Sequence, residues 1–455
     1  MTGKKIIGLL SAALAIPVFS NMIGLSAEGL DSDMVYYESV KNVLELNQNL
    51  EDLENNLKPI LKNFFDSKID KYIDFIGRNG KDIQENKNSL IECIDFYIKN
   101  FSLRERHFGY PANMCKRTAL VNIFRSIEKD GFLANNCGDV NESGNYQMDS
   151  KEIERNILKI FAQKFGIEDN YWGYITSGGS ESNEWGINAS FKKNPDGILY
   201  FCESAHYSIY KNSESHKRRI IPQTSEEDES IDCEALFKQI EKDYNQTKSP
   251  ANIILTWGTT KYGSCDDIKR ITDFLIEKHI PHYVHVDAAL FGGIPNNQID
   301  APVISEIKNL NIDSISTSLH KYIGVPTVKS VLLSTKKVSG EHIDYIGQTD
   351  NTTSGSRDIM PFSTRQQVID ILNHSHPCDY KKNIEFFEKC LKDKNINFVR
   401  NGKSNIFVVD APCDEICKKY QLSCFTDKAG HQKAHIIIFP YQNQNIIKEL
   451  AEKLS

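Results

Sequence analysis

Lys321 is the residue of this sequence whose surroundings most clearly suggest chemistry. It stands in the pair His320-Lys321, one residue after the apolar, Ser/Thr-rich stretch 313–318. At the end of a buried strand, desolvation disfavours the ammonium form of a lysine and leaves a more nucleophilic amine. Such an amine can form an imine with a carbonyl compound. The same pattern also fits a structural lysine in an ion pair, so Lys321 needs the support of further groups.

Asp287 ends a second predicted strand, two residues after His285. This spacing places both side chains on one strand face. Ligands bind at the carboxyl edge of open parallel sheets, where a buried carboxylate needs a cationic partner such as a protonated pyridine nitrogen. A metal site made of His279, His282, His285 and Asp287 is the alternative. It fails on geometry, because only His285 and Asp287 share a strand face.

A glycine- and serine-rich turn at 177–182 joins an apolar strand to a helix that is predicted to begin near Glu181. A turn of this kind presents free backbone N–H groups and the positive end of a helix dipole, which suit a phosphate dianion. The turn lacks both the GxGxxG spacing and the Walker lysine. Neither a dinucleotide nor a nucleoside triphosphate is therefore favoured.

His206 follows a predicted strand that ends at Cys202. Its imidazole could stack on a planar cofactor ring, although an isolated histidine after a strand is more often structural. The order of the candidate groups along the chain supports the functional interpretation of His206. Phosphate turn, stacking histidine, carboxylate and imine-forming lysine each follow a predicted strand, as a pyridoxal phosphate site requires.

The elements that must position these groups alternate between about residues 104 and 333. Short apolar stretches at 197–202, 251–256 and 283–287 are separated by helical stretches. This pattern predicts a mainly parallel sheet covered by helices. The last hundred residues predict a smaller α+β domain that ends in a strand at 435–439 and a helix at 445–454.

Composition excludes several classes of protein. The 455 residues carry 54 Lys and Arg against 61 Asp and Glu, a net charge of −7, so nucleic-acid binding is not expected. The 40 % hydrophobic content excludes a disordered or fibrous chain. Eleven cysteines without a CxxC pair indicate a reducing compartment, with the cytoplasm favoured for the catalytic domain. Cys413 and Cys417 have no matching second pair, so no metal site is predicted.

The amino terminus allows three interpretations. Lys4 and Lys5 precede an apolar run at 6–19, the layout of a secretory signal, but no small-x-small cleavage site follows. The apolar character continues to Leu25, so residues 6–25 could also anchor the chain in a membrane. A helix packed on a partner is the third interpretation. The sequence therefore predicts a signal or anchor segment or a packed helix within residues 1–28, and an amphipathic helical region at 29–103.

The motifs together resemble those of the group II pyridoxal phosphate-dependent amino-acid decarboxylases, and most of all the bacterial histidine decarboxylase branch. The resemblance extends from about residue 107 to the carboxyl terminus. The matching stretches are HFGYPAN at 107–113, NNCGD at 135–139, TSGGSE at 176–181, SAHYS at 204–208, GTT at 258–260, HVDAA at 285–289, SLHK at 318–321 and SGSR at 354–357.

The resemblance implies an α/β protein of fold type I, the aspartate aminotransferase-like fold. A large domain at 104–345 would carry a mainly parallel sheet of the seven-stranded type, and a small α+β domain would follow at 346–455. The active site of this fold lies at a dimer interface. A homodimer or a dimer of dimers is therefore expected.

The resemblance also implies a role for each matching residue. Lys321 would form the imine, Asp287 would pair with the pyridine nitrogen, His206 would stack on the ring, and Tyr345 or His206 would return a proton to Cα. The cofactor-binding residues would be Lys321, Gly179, Ser180, His206, Thr259, Thr260, Asp287, Ala289, Ser318, His320 and Ser356. The substrate-binding residues would be Tyr110, Asn113 and His206. The stretch 345–357 would form a mobile loop near the neighbouring subunit's site.

The implied activity is removal of the α-carboxylate of an L-amino acid with pyridoxal phosphate as the cofactor, first of all L-histidine to histamine and carbon dioxide. Serine or another amino acid is the alternative substrate, and an aldehyde-lyase is an alternative reaction. A non-catalytic interaction protein of the same fold is disfavoured, because Lys321, Asp287 and His206 are all present. The segment 356–361 departs from the Asn-Gly-His-Thr-Pro that follows the arginine in relatives, which leaves the substrate open.

Overall fold

A seven-stranded sheet is the central element of the part of the chain that the computed structural model describes. The described residues are 106–111, 136–141, 151–296, 298, 301–305, 307–325, 328–335, 356–358 and 380–454. The predicted signal or anchor segment, the helical region 29–103, Asn113 and Tyr345 lie outside them. Among the described helices, none combines the length and the apolar character needed to span a membrane.

The strand order of this sheet is β2-β8-β7-β6-β5-β3-β4. Its strands are β2 Trp172–Thr176, β3 Ile198–Cys202, β4 Arg218–Ile221, β5 Ala251–Thr256, β6 His282–Asp287, β7 Ser314–Ser318 and β8 Ser330–Ser334. Strand β8 is antiparallel to its two neighbours, β2 and β7. All other neighbouring strands of this sheet pair in parallel. The predicted seven-stranded, mainly parallel sheet is thereby confirmed. Six strands run in one direction, so their carboxyl ends meet at one edge.

Helices cover both faces of the sheet, which explains why strands β2, β3, β5 and β8 are buried along their whole length. On one face, Val284 and Val286 of β6 share an apolar core with α1, α4 and α5. On the other face, His285 lies against α2. The helices of this part are α1 Lys151–Phe165, α2 Gly179–Lys193, α3 Tyr207–Asn212, α4 Cys233–Thr247 and α5 Ile268–Glu277.

The carboxyl-terminal part contains a separate three-stranded antiparallel sheet in the order β10-β12-β11. Its elements are β10 Ile406–Asp410, β11 Ser423–Thr426, β12 Gln432–Ile437, α6 Tyr380–Asp393, α7 Asp414–Lys419 and α8 Gln444–Lys453. Side chains of α6 and α8 form an apolar core with this sheet. The expected α+β architecture is present, while the boundary at residue 346 stays a prediction. The strand predicted at 435–439 begins earlier, at Gln432.

Three local differences from the sequence analysis concern the site. Helix α2 begins at Gly179 rather than near Glu181, because Gly178 turns the chain at φ 148° and the Glu181 carboxylate accepts the Ser177 N–H at 2.8 Å. Strand β7 ends at Ser318, so Lys321 lies in the single π-helical turn Leu319–Ile323 that follows.

The third difference lies in the segment predicted as a mobile loop at 345–357. Its last two residues belong to strand β9, Ser356–Asp358, which pairs antiparallel with β1, Asn136–Gly138. The prediction of a loop is therefore wrong for Ser356 and Arg357, since the backbone there takes part in a strand ladder. The rest of the segment lies outside the described residues.

Gly186 sets how closely helix α2 approaches strand β6. A Cβ atom at this position would lie 2.5 Å from Cγ and 2.7 Å from Nδ1 of His285. Any side chain larger than hydrogen would therefore push the helix away from the strand. This contact brings the first turns of α2 to the carboxyl end of β6.

We expect Gly186→Ala to lower the free energy of unfolding by about 1–3 kcal/mol through overpacking, despite the better helix propensity of alanine. Asn188→Ala in the same helix is the matched control, because Asn188 is exposed. Urea denaturation of both variants and the wild type measures the difference. Equal stability of the two variants would contradict the close packing of α2 on β6.

Candidate active site

The carboxyl ends of the parallel strands bring together the groups predicted from the sequence. Asp287 is the last residue of β6, and Ser318 is the last residue of β7. The helix that contains Gly179 follows β2, and His206 follows β3 as the N-cap residue of α3. This arrangement arises because each motif lies just after a strand that runs in the same direction.

Asn183 of helix α2 connects the predicted site residues to one another. Its Nδ2 atom donates to Asp287 Oδ2 at 2.8 Å and to Ser208 Oγ at 3.0 Å, and its Oδ1 atom lies 3.3 Å from His285 Nε2. Ser208 Oγ lies in turn 2.8 Å from His206 Nδ1. Asn183 is 1 % exposed. A buried amide with all its hydrogen-bonding groups satisfied fixes the orientation of its neighbours.

These contacts indicate which ring nitrogen carries the proton in neutral His285 and in neutral His206. Because both Asn183 donors are in use, its Oδ1 atom must accept, and His285 carries its proton on Nε2. Ser314 Oγ accepts from the Tyr283 hydroxyl at 2.9 Å and therefore donates to His285 Nδ1 at 2.8 Å. Ser208 accepts from Asn183 and donates to His206 Nδ1. A neutral His206 then carries its proton on Nε2.

Asp287 is held by two donors. Besides Asn183, the backbone N–H of Ala289 donates to its Oδ1 atom at 3.1 Å. The carboxylate is 5 % exposed, and it favours the protonated forms of His206 and Lys321 electrostatically. A buried carboxylate with two donated hydrogen bonds is ready to pair with a cation.

Lys321 is partly buried, and burial lowers the pKa of its ammonium group, while the Asp287 carboxylate acts in the opposite direction. Within the described residues its Nζ atom makes no hydrogen bond or salt bridge. The lower pKa makes the neutral, nucleophilic amine more accessible. The geometry therefore disfavours the interpretation of Lys321 as an ion-paired structural lysine.

The start of helix α2 forms a shallow cradle with the end of β7. The backbone N–H groups of Gly179 and Ser180 make no hydrogen bond within the described residues. A Cβ atom on Gly179 would lie 3.3 Å from Ser318 Oγ and 3.8 Å from Ala289 Cβ. Two open N–H groups at a helix start, a close backbone and a hydroxyl suit a phosphate group.

Two predicted residues, Thr259 and Thr260, differ in how their hydroxyl groups are placed. Thr259 is buried; its Oγ1 atom accepts the Ser264 N–H at 2.9 Å and hydrogen-bonds the Glu229 carboxylate. Thr260 is exposed. The Thr259 hydroxyl is thus engaged in hydrogen bonds within the protein, whereas the exposed Thr260 is open to solvent.

Tyr110 and His320 form an aromatic wall beside Lys321. Their rings stack at 6.5 Å between centroids with an interplanar angle of 18°. Burial and the nearby Lys321 charge lower the pKa of His320 to about 4, so it is neutral near pH 7. Tyr110 is 47 % exposed. Asn113, Tyr345 and the side chain of Ser356 lie outside the described residues.

Asn183 and Ser208 are the site residues that the sequence analysis missed. A signal was present, because Asn183 follows Gly179 by four residues and therefore lies on the same helix face. That signal does not reveal which strand the face meets. The contact with Asp287 depends on how α2 packs on β6.

Comparisons with known proteins show the family to which this chain belongs. Residues 188–371 match the model of the pyridoxal-dependent decarboxylase conserved domain. The chain is 30 % identical over 387 residues to serine decarboxylase 2 of Oryza sativa subsp. japonica, covering 81 % of this chain and 79 % of the rice protein. It is 32 % identical over 354 residues to histidine decarboxylase of Vibrio anguillarum, covering 73 % of this chain and 85 % of that protein. The chain belongs to the pyridoxal phosphate-dependent decarboxylase family.

The fold likeness extends to solved structures. L-methionine decarboxylase from Streptomyces sp. 590 superposes with a TM-score of 0.66 at 18 % identity, covering 83 % of this chain and 96 % of that one. The protein is thus a fold type I, pyridoxal phosphate-dependent amino-acid decarboxylase, as the resemblance implied. The residues present fit the cofactor, because the open N–H groups of α2, the Asp287 carboxylate and the Lys321 amine offer partners to its phosphate, ring nitrogen and carbonyl.

His285 makes the stability of the folded state sensitive to acid. Burial lowers its pKa from 6.5 to about 4, with a smaller opposing effect of Asp287. Between these two values the unfolded chain takes up a proton at His285 that the folded chain does not, so stability falls as the pH falls.

We expect the wild type to lose roughly 3 kcal/mol more than His285→Gln between pH 6.5 and 4. Glutamine keeps a donor and an acceptor but does not titrate in this range. Unfolding by urea at several pH values measures the slopes. The control His279→Asn, at an exposed position with φ 50°, should keep the wild-type slope. Parallel curves for wild type and His285→Gln would refute a neutral, buried His285.

Proposed function

We propose that this enzyme removes the α-carboxylate of L-histidine to give histamine and carbon dioxide. The observation that carries the proposal is the Tyr110–His320 stack beside Lys321, a flat, half-exposed aromatic surface. Such a surface suits a planar imidazole side chain better than a small hydroxymethyl group. The names of several relatives, among them the Vibrio anguillarum histidine decarboxylase, support the same substrate.

L-Serine is the second candidate substrate. The similarity to serine decarboxylase 2 of Oryza sativa subsp. japonica favours it, because that alignment covers 81 % of this chain. Serine would leave the Tyr110 face without a partner. The two candidates therefore make opposite predictions for a change at Tyr110.

In this proposal, each site residue has one task. Bound pyridoxal phosphate supplies an electron sink for the electrons that the departing carboxylate leaves at Cα. The Lys321 amine holds the cofactor through its carbonyl carbon. The Asp287 carboxylate, oriented by Asn183 and the Ala289 N–H, keeps a proton on the pyridine nitrogen. Gly179, Ser180 and Ser318 bind the phosphate through N–H and hydroxyl groups.

His206 has two tasks in the proposal. Its imidazole would lie against the cofactor ring, held by Ser208 at Nδ1. To return a proton to Cα it would act as the imidazolium form, which loses one proton and becomes the neutral ring. Burial lowers the pKa of His206 and the Lys321 charge adds to this, while the Asp287 carboxylate opposes both by favouring the imidazolium form. Tyr345 is the alternative proton donor. The homodimer, the membrane contact through residues 6–25 and the cellular location stay predictions.

A panel of L-amino acids tests the substrate. Cofactor-loaded enzyme is mixed with histidine, serine, methionine and other L-amino acids, and carbon dioxide and amine are measured together. Histamine from histidine is expected, with Tyr110→Ala raising KM for histidine about tenfold or more through loss of aromatic contact. Tyr244→Ala, at a partly buried tyrosine of α4, is the comparison. Ethanolamine from serine, unaffected by Tyr110→Ala, would replace the histidine proposal.

The role of Lys321 has its own test. Borohydride reduction of the holoenzyme followed by peptide mass mapping should place the cofactor on Lys321. Lys321→Ala should lose this attachment and reduce decarboxylation by a factor of about 100 or more. Lys211→Ala, at an exposed lysine of α3, should keep both. Attachment at another lysine in the wild type would contradict the assignment.

A further inference from the structure

Cys417 and Cys424 lie close together in the carboxyl-terminal part, outside the site described above. Their Sγ atoms are 3.3 Å apart, although six residues separate them in the chain. Cys424 is exposed in strand β11, and Cys417 is partly exposed in helix α7. The backbone holds this approach, because the Leu422 N–H donates to the Cys417 carbonyl at 2.9 Å. We propose that Cys417 and Cys424 form a reversible disulfide that controls the segment 107–110 beside the active site.

The geometry suits a disulfide better than a metal site. A disulfide requires the two sulfur atoms to move from 3.3 Å to about 2.05 Å, a shift that side-chain rotation and a small backbone movement can supply. Among the described residues, no group of three or more His, Cys, Asp or Glu side chains is placed to bind a metal ion. Disulfides at exposed positions are the labile and regulatory ones.

The two thiols differ in reactivity. Burial raises the pKa of Cys417 to about 12, and the hydrogen bond with Cys424 adds to this. Cys424 is the more exposed of the two thiols, so it meets an oxidant first. This order predicts that Cys424 is the attacking thiol and Cys417 the resolving thiol.

The reaction is a thiol–disulfide exchange with a small disulfide such as oxidised glutathione. The Cys424 thiolate attacks one glutathione sulfur, forms a mixed disulfide and releases one reduced glutathione. The Cys417 thiol then loses its proton to solvent, attacks the Cys424 sulfur and releases the second reduced glutathione. Two protein thiols are oxidised, and one glutathione disulfide is reduced.

The ring closed by this disulfide contains the backbone that holds the active-site segment. The Tyr420 carbonyl accepts the Phe108 N–H at 3.2 Å. A Cβ atom on Gly109 would lie 2.2 Å from the Gln421 carbonyl oxygen and 2.3 Å from the Ser423 nitrogen. The backbone of Gly109 therefore packs directly against the backbone of residues 421–423, and a shift of these residues would reach it.

Strand β12 holds the same segment from its other side. The Phe108 carbonyl accepts the Ile437 N–H at 2.7 Å, and His435 Nε2 lies 2.7 Å from the Gly109 carbonyl oxygen. A shift of strand β11 thus changes the position of the next residue, Tyr110, relative to its stacking partner His320. The disulfide would therefore change the position of Tyr110, where the side chain of the amino-acid substrate is proposed to bind.

The first test is chemical and does not depend on the proposed substrate. Holoenzyme is incubated with oxidised glutathione, free thiols are alkylated, and peptides are mapped by mass. A peptide pair joined through Cys417 and Cys424, lighter by two hydrogen atoms, is expected in the wild type and in Cys413→Ser. Cys413 is the matched control because it is exposed and lies one helical turn from Cys417. Cys417→Ser and Cys424→Ser should lack the link.

Two outcomes of the mapping would overturn the proposal. One is alkylation of Cys417 and Cys424 as separate thiols after oxidation. The other is a link that joins Cys413 to either of them. Either outcome would mean that the 3.3 Å approach of the two sulfur atoms is only a packing contact.

The second test measures the coupling to segment 107–110. Hydrogen exchange at the Phe108 amide should slow by roughly fivefold or more on oxidation, because its acceptor lies inside the closed ring. A displaced Tyr110 should lower kcat/KM by roughly threefold or more. Both changes should be absent in Cys424→Ser and reversed by dithiothreitol. A mapped disulfide without any change in exchange or kcat/KM would overturn the control of this segment.

Discussion

The Asp287 carboxylate imposes the main constraint on this structure. It ends a buried strand and is 5 % exposed, so its charge must be balanced by donors that the fold holds in place. Asn183 and the Ala289 N–H supply them at 2.8 Å and 3.1 Å. To supply its donor, helix α2 must approach β6 closely, and this approach requires a glycine opposite His285. The position of one carboxylate thus determines the residue on the facing helix.

The same approach fixes the protonation of the groups around the site. His285 lies between Gly186 and Ser314, and burial there lowers its pKa to about 4, so the ring is neutral near pH 7. Asn183 gives this ring its one acceptor and gives Asp287 and Ser208 its two donors. Ser208 accepts a hydrogen bond from Asn183 and therefore donates one to His206 Nδ1. A chain of hydrogen bonds therefore links the carboxylate proposed to meet the cofactor ring nitrogen with the imidazole proposed to lie against the cofactor ring.

Much of this arrangement could be predicted from the sequence, because it depends on local order. Strand β5 is the predicted 251–256, Asp287 ends strand β6, and the groups at Gly179, His206 and Lys321 each follow a strand. The residues that connect them could not be predicted. The bonds of Asn183 depend on the packing of α2 against β6, and the Cys417–Cys424 approach depends on a turn between a helix and a strand. The pairing of β9 with β1 joins segments far apart in the chain, which periodicity does not reveal.

The most direct test of the account is the ionisation of the cofactor ring nitrogen in the folded enzyme. Pyridoxal phosphate labelled with ¹⁵N at the ring is bound to the wild type, and its ¹⁵N chemical shift is recorded over a range of pH. The account predicts a protonated ring nitrogen in the wild type, a neutral one in Asp287→Asn, and a shift towards neutral in Asn183→Ala. A neutral nitrogen in the wild type, or a protonated one in Asp287→Asn, would contradict it.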